Sequence, residues 1–198
     1  MCAKDGAAPG GFLSDDHDAV GALFGGVYAA IEGGDVPGTL KALDYLWARL
    51  AVHIRAEHLR LFPSILGAAR PLFTGDGGAP PFEEAERAVA LLKRDHDFFM
   101  RELAAAVNTL RALKASPAPE PGAGELEAVR RVVSGVEERL GAHNELEERQ
   151  LYRWTEALLG RAEADDLAAA IRRELDNEPP RFGGSGEDPA PHEGCSKE

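Results

Sequence analysis

Apolar residues recur along this chain at alternating steps of three and four, the spacing that puts them on one face of an α-helix. The first such stretch begins at Leu13, with Ser14 as a good N-cap, and ends before the paired glycines Gly33 and Gly34. No period-two alternation of the kind typical of a β-strand competes with this pattern. The chain therefore opens with a predicted helix over about residues 13–32.

The same spacing continues through the rest of the chain and predicts four more helices. They span about residues 36–62, 81–114, 125–158 and 163–175. Pro37 is tolerated in the first turn of the second helix, whereas Pro63 lacks a backbone N–H and is expected to kink or end that helix near Leu61 and Phe62. A stretch of Pro, Ala, Gly and Glu at 116–124 predicts a linker between the third and fourth helices.

Both ends of the chain differ in composition from the helical part. Residues 1–12 contain several Gly and Pro residues and predict a flexible lead-in, and residues 176–198, rich in Gly, Pro and acidic residues, predict a disordered tail. Short connections join antiparallel neighbours in helical bundles. We therefore expect an all-α fold, an antiparallel up-down four-helix bundle over residues 13–175 with a short C-terminal fifth helix.

Six polar side chains interrupt the apolar stripes of the four long helices. They are His17 on the first helix, His53 and Glu57 on the second, His96 on the third, and His143 and Glu147 on the fourth. In each His-x-x-x-Glu pair, the spacing of four puts the imidazole and the carboxylate on one helix face, a turn apart. Each pair is preceded along the chain by a lone histidine within the tripeptide Asp-His-Asp, so the same pattern occurs twice.

These six side chains are expected to lie at one depth of the bundle. At 1.5 Å per residue, His17 and His53 lie about 21 Å and about 27 Å from the loop between their helices, and His96 and His143 each lie about 27 Å from theirs. The separations of 79 residues between His17 and His96 and of 90 residues between His53 and His143 indicate a duplicated helical hairpin.

The interior positions predicted for Glu57 and Glu147 indicate a metal site. Burial of two carboxylates without a cation would cost on the order of several kcal/mol each, or force them to be protonated. Imidazole and carboxylate without thiolate suit iron, manganese or zinc. A single histidine on an apolar face is more often a core residue with a local hydrogen bond, so a helical interaction module without metal is the alternative.

Several polar residues near these six are expected to stay outside the site. His58 lies about 100° round the helix from Glu57 and is expected at the surface or against a ligand. Glu145 and Glu148 are expected to be solvated. The aspartates that flank the lone histidines are expected to be exposed, with orientation of a ligand imidazole as the alternative, namely Asp16, Asp18, Asp95 and Asp97. A packing role is assigned to Tyr28, Tyr45 and Tyr152.

The order of the six residues, with Leu61-Phe62-Pro63 shortly after the first glutamate, resembles the hemerythrin-like (HHE cation-binding) domain family over about residues 13–159. The resemblance implies a four-helix bundle that holds a non-haem di-iron centre, with two iron ions and an oxo bridge, in preference to manganese or zinc. It implies these ligands: His17, His53, His96 and His143 as terminal ligands and Glu57 and Glu147 as bridges. The Glu-x-x-His motif of ferritin-like proteins does not occur in the sequence.

Oxygen carriers of that family differ from this chain at two positions. They have a second histidine one turn after the third-helix ligand, where this chain has Met100, and usually an aspartate where it has Glu147. Fewer protein ligands leave more open iron positions. The resemblance therefore implies a protein that binds or senses O₂, NO or peroxide. The alternative is a di-iron enzyme that reduces peroxide or NO, or that delivers iron for iron–sulfur cluster repair.

The composition of the 198 residues narrows the range of partners. A net charge of -12 would repel phosphate backbones and anionic membranes, so we expect no nucleic-acid partner. The apolar runs are far shorter than the roughly 20 residues that span a bilayer, and the N-terminus lacks a signal-peptide pattern, so we expect a cytoplasmic protein without a membrane partner. Cys2 and Cys195 are expected to be free thiols.

Overall fold

A computed structural model describes residues 9–70, 78–115 and 123–179, and within these ranges the chain is helical and contains no β-strand, as the predicted all-α class requires. Its α-helices, α1 to α7, span Pro9–Glu32, Val36–Ala56, Phe62–Ala69, Phe82–Ala115, Ala123–Leu146, Tyr152–Leu158 and Arg161–Leu175. Three predicted segments lie outside the described residues in whole or in large part: the start of the lead-in, the linker before α5, and the tail from residue 180. None of the helices in the described ranges has both the length and the apolar character to cross a bilayer.

The turn between α1 and α2 follows from its predicted sequence signals. Gly34 adopts a φ of 67°, in the left-handed region that favours glycine. Asp35 then caps α2, because its Oδ1 accepts a hydrogen bond from the N–H of Gly38 at 2.9 Å. Pro37 lies in the first turn of α2, where a missing N–H is tolerated. This tight turn sets α1 against α2.

Two π-helical turns interrupt the long helices at equivalent places. Glu57–Leu61 joins α2 to α3 and Glu147–Leu151 joins α5 to α6, and in each the C=O of the glutamate accepts the N–H five residues later. The sequence predicted a kink or an end at Pro63, and Pro63 lies in the first turn of α3, directly after the first π turn. The second π turn forms without a proline, so proline is not what creates this geometry.

Four helices form a closed ring of contacts, in which α1 packs against α2 and α5, and α4 packs against α5 and α2. The last helix, α7, packs on α1 and α2. The residues that follow α7 in sequence also contact α2. Arg55 of α2 donates to the C=O of Asn177 at 2.7 Å, and Arg49 donates to the carboxylate of Glu178 at 2.6 Å. Asn177 and Glu178, which belong to the segment expected to be a disordered tail, are therefore bonded to α2.

Two apolar clusters fill the interior of the ring. The first apolar cluster is built around Phe24, Leu46, Phe99 and Val133, and the second around Leu13, Leu61, Leu92 and Leu151. Along α1 the buried residues change from the second cluster at Leu13 to the first at Val20, and His17 lies between them. The same change occurs across His96 on α4. A polar layer thus separates the two clusters.

The first helix begins at Pro9, four residues before the predicted start, so residues 9–12 are helical and do not belong to a flexible lead-in. In this added turn α1 approaches α6 closely, which hydrophobic spacing does not reveal. A Cβ at Gly10 would lie 2.6 Å from both Cβ and Cγ of Tyr152. Only glycine allows α1 to pack so closely on α6.

Gly10→Ala is therefore expected to destabilise the fold by about 1–3 kcal/mol, because the added methyl group overpacks the contact with Tyr152. Gly21→Ala is the matched control. Gly21 lies in the same helix with no described atom within 4 Å of its Cβ position, and its replacement should stabilise the helix by about 0.5–1 kcal/mol. Urea unfolding followed by circular dichroism measures both changes, and effects of equal sign would contradict the close contact.

Candidate metal centre

The polar layer between the two apolar clusters contains the six residues that the sequence singled out. They are His17 on α1, His53 on α2, Glu57 at the start of the first π turn, His96 on α4, His143 on α5 and Glu147 at the start of the second π turn. The two glutamates are 0% exposed, and the histidines are at most 7% exposed. The fold thus brings all six side chains together in its interior.

The six side chains form two groups of four that share both glutamates. The first site consists of His17 and His53 with Glu57 and Glu147, and the second site consists of His96 and His143 with the same two glutamates. Within each site, one ligand atom from each residue lies within 4.8 Å of the other three. Each site could hold one metal ion.

Each glutamate places one carboxylate oxygen in each site. Oε1 of Glu57 lies 3.2 Å from Nε2 of His53, and its Oε2 lies 3.1 Å from Nε2 of His96. The two oxygens of Glu147 lie 3.3 Å and 3.4 Å from Nε2 of the other two histidines, Oε2 in the first site and Oε1 in the second. Both carboxylates therefore have the orientation needed to bridge two ions.

The four carboxylate oxygens are buried and accept no hydrogen bond from any described residue. An anion in this position costs on the order of several kcal/mol unless a cation compensates it. In addition, Nε2 of His96 and Nε2 of His143 lie 3.0 Å apart. Two ligand atoms that are each about 2.1 Å from one ion, at right angles, are about 3.0 Å from each other. The donor atoms therefore fit a bound metal ion.

The outer nitrogen, Nδ1, of each histidine faces another side chain. Its partner is Glu148 for His17 at 3.0 Å, Asp16 for His53 at 3.0 Å, His58 for His96 at 2.9 Å and Asp95 for His143 at 3.4 Å. When the Nδ1–H donates outwards, the lone pair of Nε2 is left free for a metal. The outer contacts thus orient all four imidazoles so that Nε2 faces the centre of the layer.

Two arginines extend these contacts in parallel ways. Arg49 donates to Asp16, which in turn accepts from His53. In the corresponding place, Arg139 donates to Oδ1 of Asp95 at 2.6 Å and 2.8 Å. Each arginine balances the charge of its aspartate and fixes the carboxylate that orients an imidazole.

The prediction that all four aspartates of the Asp-His-Asp tripeptides are exposed was wrong for Asp16 and Asp95, which are only 7% and 8% exposed. Each lies at the contact with a neighbouring helix and faces a histidine there. Asp18 and Asp97 are exposed, as predicted. The sequence does carry a signal for the buried pair, because Arg-x-x-x-His-x-x-x-Glu occurs twice, 90 residues apart, and an arginine one turn before an interior histidine can bond an acid that faces that histidine.

Three residues that were assigned to the surface or to packing also contact the ligands. Glu148, expected to be solvated, is exposed and yet reaches Nδ1 of His17. His58 is half-buried against His96, which is one of its two predicted settings. Tyr152, assigned to packing, has its hydroxyl 3.3 Å from Nε2 of His17. The π turns explain these contacts, because each changes the direction in which the side chains after its glutamate point.

The charges in the layer shift the pKa values of its members. Burial by itself would lower the pKa of His53, but the carboxylates of Glu57 and Asp16 raise it to about 10. Burial would likewise raise the pKa of Glu57, but His53 and His96 hold it well below its usual range. Burial and the nearby carboxylates raise the pKa of Tyr152. A proton on His53 thus balances the charge of Glu57, and a metal ion would take the place of that proton.

No protein-family model, no curated protein and no solved structure matches this chain. The class of this protein therefore rests on its fold and its site. In the described part of the chain they define an all-helical protein in which two adjoining buried groups of histidine and glutamate could hold metal ions.

Replacement of Asp16 should weaken metal binding, because it removes the acceptor that orients His53. We expect Asp16→Ala to lower the affinity for Zn²⁺, used as a redox-inert probe, by about 10- to 100-fold. Asp18→Ala is the matched control, since Asp18 is exposed in the same tripeptide, and it should bind Zn²⁺ as the unchanged protein does. Competition with a chromophoric chelator measures both affinities, and equal values would refute the role given to Asp16.

Proposed function

We propose that this protein is a hemerythrin-like di-iron protein that binds or senses O₂, NO or peroxide at an open iron position. The observation that carries the proposal is the pair of buried glutamates, each of which offers one oxygen to each of two histidine pairs. Two carboxylates oriented in this way would bridge two cations. We therefore assign Glu57 and Glu147 as bridges and the four histidines as terminal ligands.

As part of the same proposal, the fold is an antiparallel up-down four-helix bundle. Its four rods would be α1, α2 continued by α3, α4, and α5 continued by α6, with α7 as the short fifth helix. The closed ring of helix contacts supports this arrangement. So does the meeting of six ligands that were expected to lie at equal depth from the loops of two antiparallel hairpins.

The donor set would serve iron differently from a structural zinc ion. Each site combines two imidazole nitrogens with two carboxylate oxygens. Four protein donors would complete a tetrahedral zinc site, whereas they would leave two positions free on a six-coordinate ion. At the second site, Met100 follows His96 by one turn and packs against the first apolar cluster, so that position supplies no further ligand.

A di-iron centre in this layer would supply redox-active ions with free positions for a small ligand. The role of the protein's own residues would be to hold the ions and to limit access to them. Phe62 stacks on His96 with ring centroids 5.9 Å apart, and Phe99 contacts His143 edge-on at 5.4 Å. With apolar clusters on both sides of the layer, these rings restrict the site to ligands of a few atoms.

A helical interaction module without metal is disfavoured by the same side chains. In such a module the histidines and glutamates would have to satisfy one another by hydrogen bonds. The carboxylate oxygens and Nε2 of His53 instead lack hydrogen-bond geometry within the described residues, although each oxygen lies 3.1–3.4 Å from an imidazole nitrogen. Uncompensated groups of this kind are rare in protein interiors.

Metal analysis and the visible spectrum of protein purified from iron-supplemented cells test the proposal. We expect about two irons per chain, one for each site, and near-ultraviolet charge-transfer bands. A single zinc ion, or no metal, would refute it. Titration with O₂, NO and peroxide in the presence of an electron donor then separates binding from turnover, since a di-iron enzyme would consume the ligand and a binding protein would not.

Glu147→Ala removes one bridge and should reduce the iron content to about one ion per chain or fewer, because both sites lose a ligand. Glu145→Ala is the matched control. Glu145 lies two residues earlier, is exposed and pairs with Arg149, so its loss should leave the iron content unchanged. Circular dichroism verifies that both variants fold, and equal iron contents in the two would contradict the bridging role.

A further inference from the structure

The residues around the two sites occur mostly in matching pairs, as expected for a hairpin present twice. On α2 and α5, with their π turns, the partners lie 90 residues apart: Arg49 and Arg139, His53 and His143, Glu57 and Glu147, Leu61 and Leu151. On α1 and α4 they lie 79 residues apart: Asp16 and Asp95, His17 and His96. Identical pairs would make the two sites equivalent. A pair whose two members differ would therefore give the two sites different properties.

Phe62 and Tyr152 form such a pair, and they lie directly against the ligands. The ring of Phe62 stacks on His96 with centroids 5.9 Å apart and an interplanar angle of 13°. The ring of Tyr152 stacks on His17 with centroids 6.0 Å apart and an angle of 24°. The two aromatic rings thus occupy equivalent places, and the chemical difference between them is one hydroxyl group beside the first site.

That hydroxyl has a single hydrogen-bond partner within the described ranges, Nε2 of His17 at 3.3 Å. Tyr152 itself is buried, with 8% of its surface exposed. When Nε2 of His17 binds an ion, its lone pair is no longer available to the tyrosine. A buried O–H without an acceptor is unfavourable, so occupancy of the first site creates a need for a new acceptor next to the ion.

We infer that the Tyr152 hydroxyl donates a hydrogen bond to the small ligand of the centre, and that it directs this ligand to the ion held by His17 and His53. The inference rests on the proposed di-iron function. At the second site the equivalent Phe62 offers no donor, so a ligand there gains no such bond. Tyr152 is in this way the residue that makes one of two similar sites the binding site.

Exposure favours the same site as the hydroxyl. His17 is 7% exposed and is the least buried of the four histidines, whereas His96 is 2% exposed. Glu148, which accepts from Nδ1 of His17, has a side chain that is 45% exposed. The first site is therefore the one that a small ligand reaches with less displacement of packed side chains.

The hydroxyl also selects among ligands by their chemistry. A phenolic O–H stabilises a ligand whose outer nitrogen or oxygen accepts a hydrogen bond. Azide and deprotonated peroxide have such an atom and carry negative charge, which strengthens the bond. Carbon monoxide is a poor acceptor. The predicted class of ligand is thus a small anion or peroxide.

Azide binding to the iron-loaded protein tests this inference. Tyr152→Phe removes only the hydroxyl, and we expect unchanged iron content with an azide affinity about tenfold lower. Tyr28→Phe is the matched control, because it removes a tyrosine hydroxyl that donates to Glu137, eleven residues along α1 from His17. The azide stretching frequency should shift between H₂O and D₂O in the unchanged protein and in the control, but not in Tyr152→Phe.

The outcomes separate this inference from the function on which it rests. Unchanged azide affinity with the same isotope shift in Tyr152→Phe would overturn the inference and leave the di-iron proposal intact. Loss of iron from Tyr152→Phe, or loss of a visible phenolate-to-iron band, would make Tyr152 a metal ligand and would also overturn it. An unchanged protein that takes up no iron would refute the proposed function, and the inference with it.

Discussion

The burial of two carboxylates between two apolar clusters is the constraint on which the rest of this structure depends. Glu57 and Glu147 are fully buried and face the Nε2 atoms of the four histidines, so their charge has to be balanced from within the layer. Imidazoles surround them, acids face the outer nitrogen of three of the four imidazoles, and arginines bond two of those acids. Around His53 and His143, charge therefore alternates outward from the centre, from carboxylate to imidazole to aspartate to arginine.

The backbone geometry serves the same constraint. Each glutamate is the first residue of a π turn, and its C=O accepts the N–H of the aromatic residue that follows the turn. The wider turn lets the glutamate point into the layer while Leu61 and Leu151 return to the second apolar cluster. A regular α-helix would place these side chains at other angles. The π turns thus allow the polar layer and the second apolar cluster to follow each other directly along the same two helices.

The sequence predicted the six clustered residues because spacings of three and four mark the interior face of each helix, and loop positions set the depth along it. It did not predict Asp16 and Asp95, because their partners lie on the next helix and the pattern of a single helix carries no information about its neighbours. The contact of Tyr152 was missed because the π turn shifts every angle after Glu147. Hydrophobic spacing also did not predict the role of Gly10, which depends on the absence of a side chain at the contact with Tyr152.

Because the two sites share both glutamates, each site contains residues from both hairpins, in unequal numbers. The first site takes three residues from α1, α2 and the first π turn, and one, Glu147, from the other hairpin; the second site reverses this division through Glu57. An ion in either site would therefore tie the hairpins together. It would also fix both carboxylates, so that the remaining oxygen of each already faces the vacant position. The first ion to enter would thus also set the geometry in which the second is held.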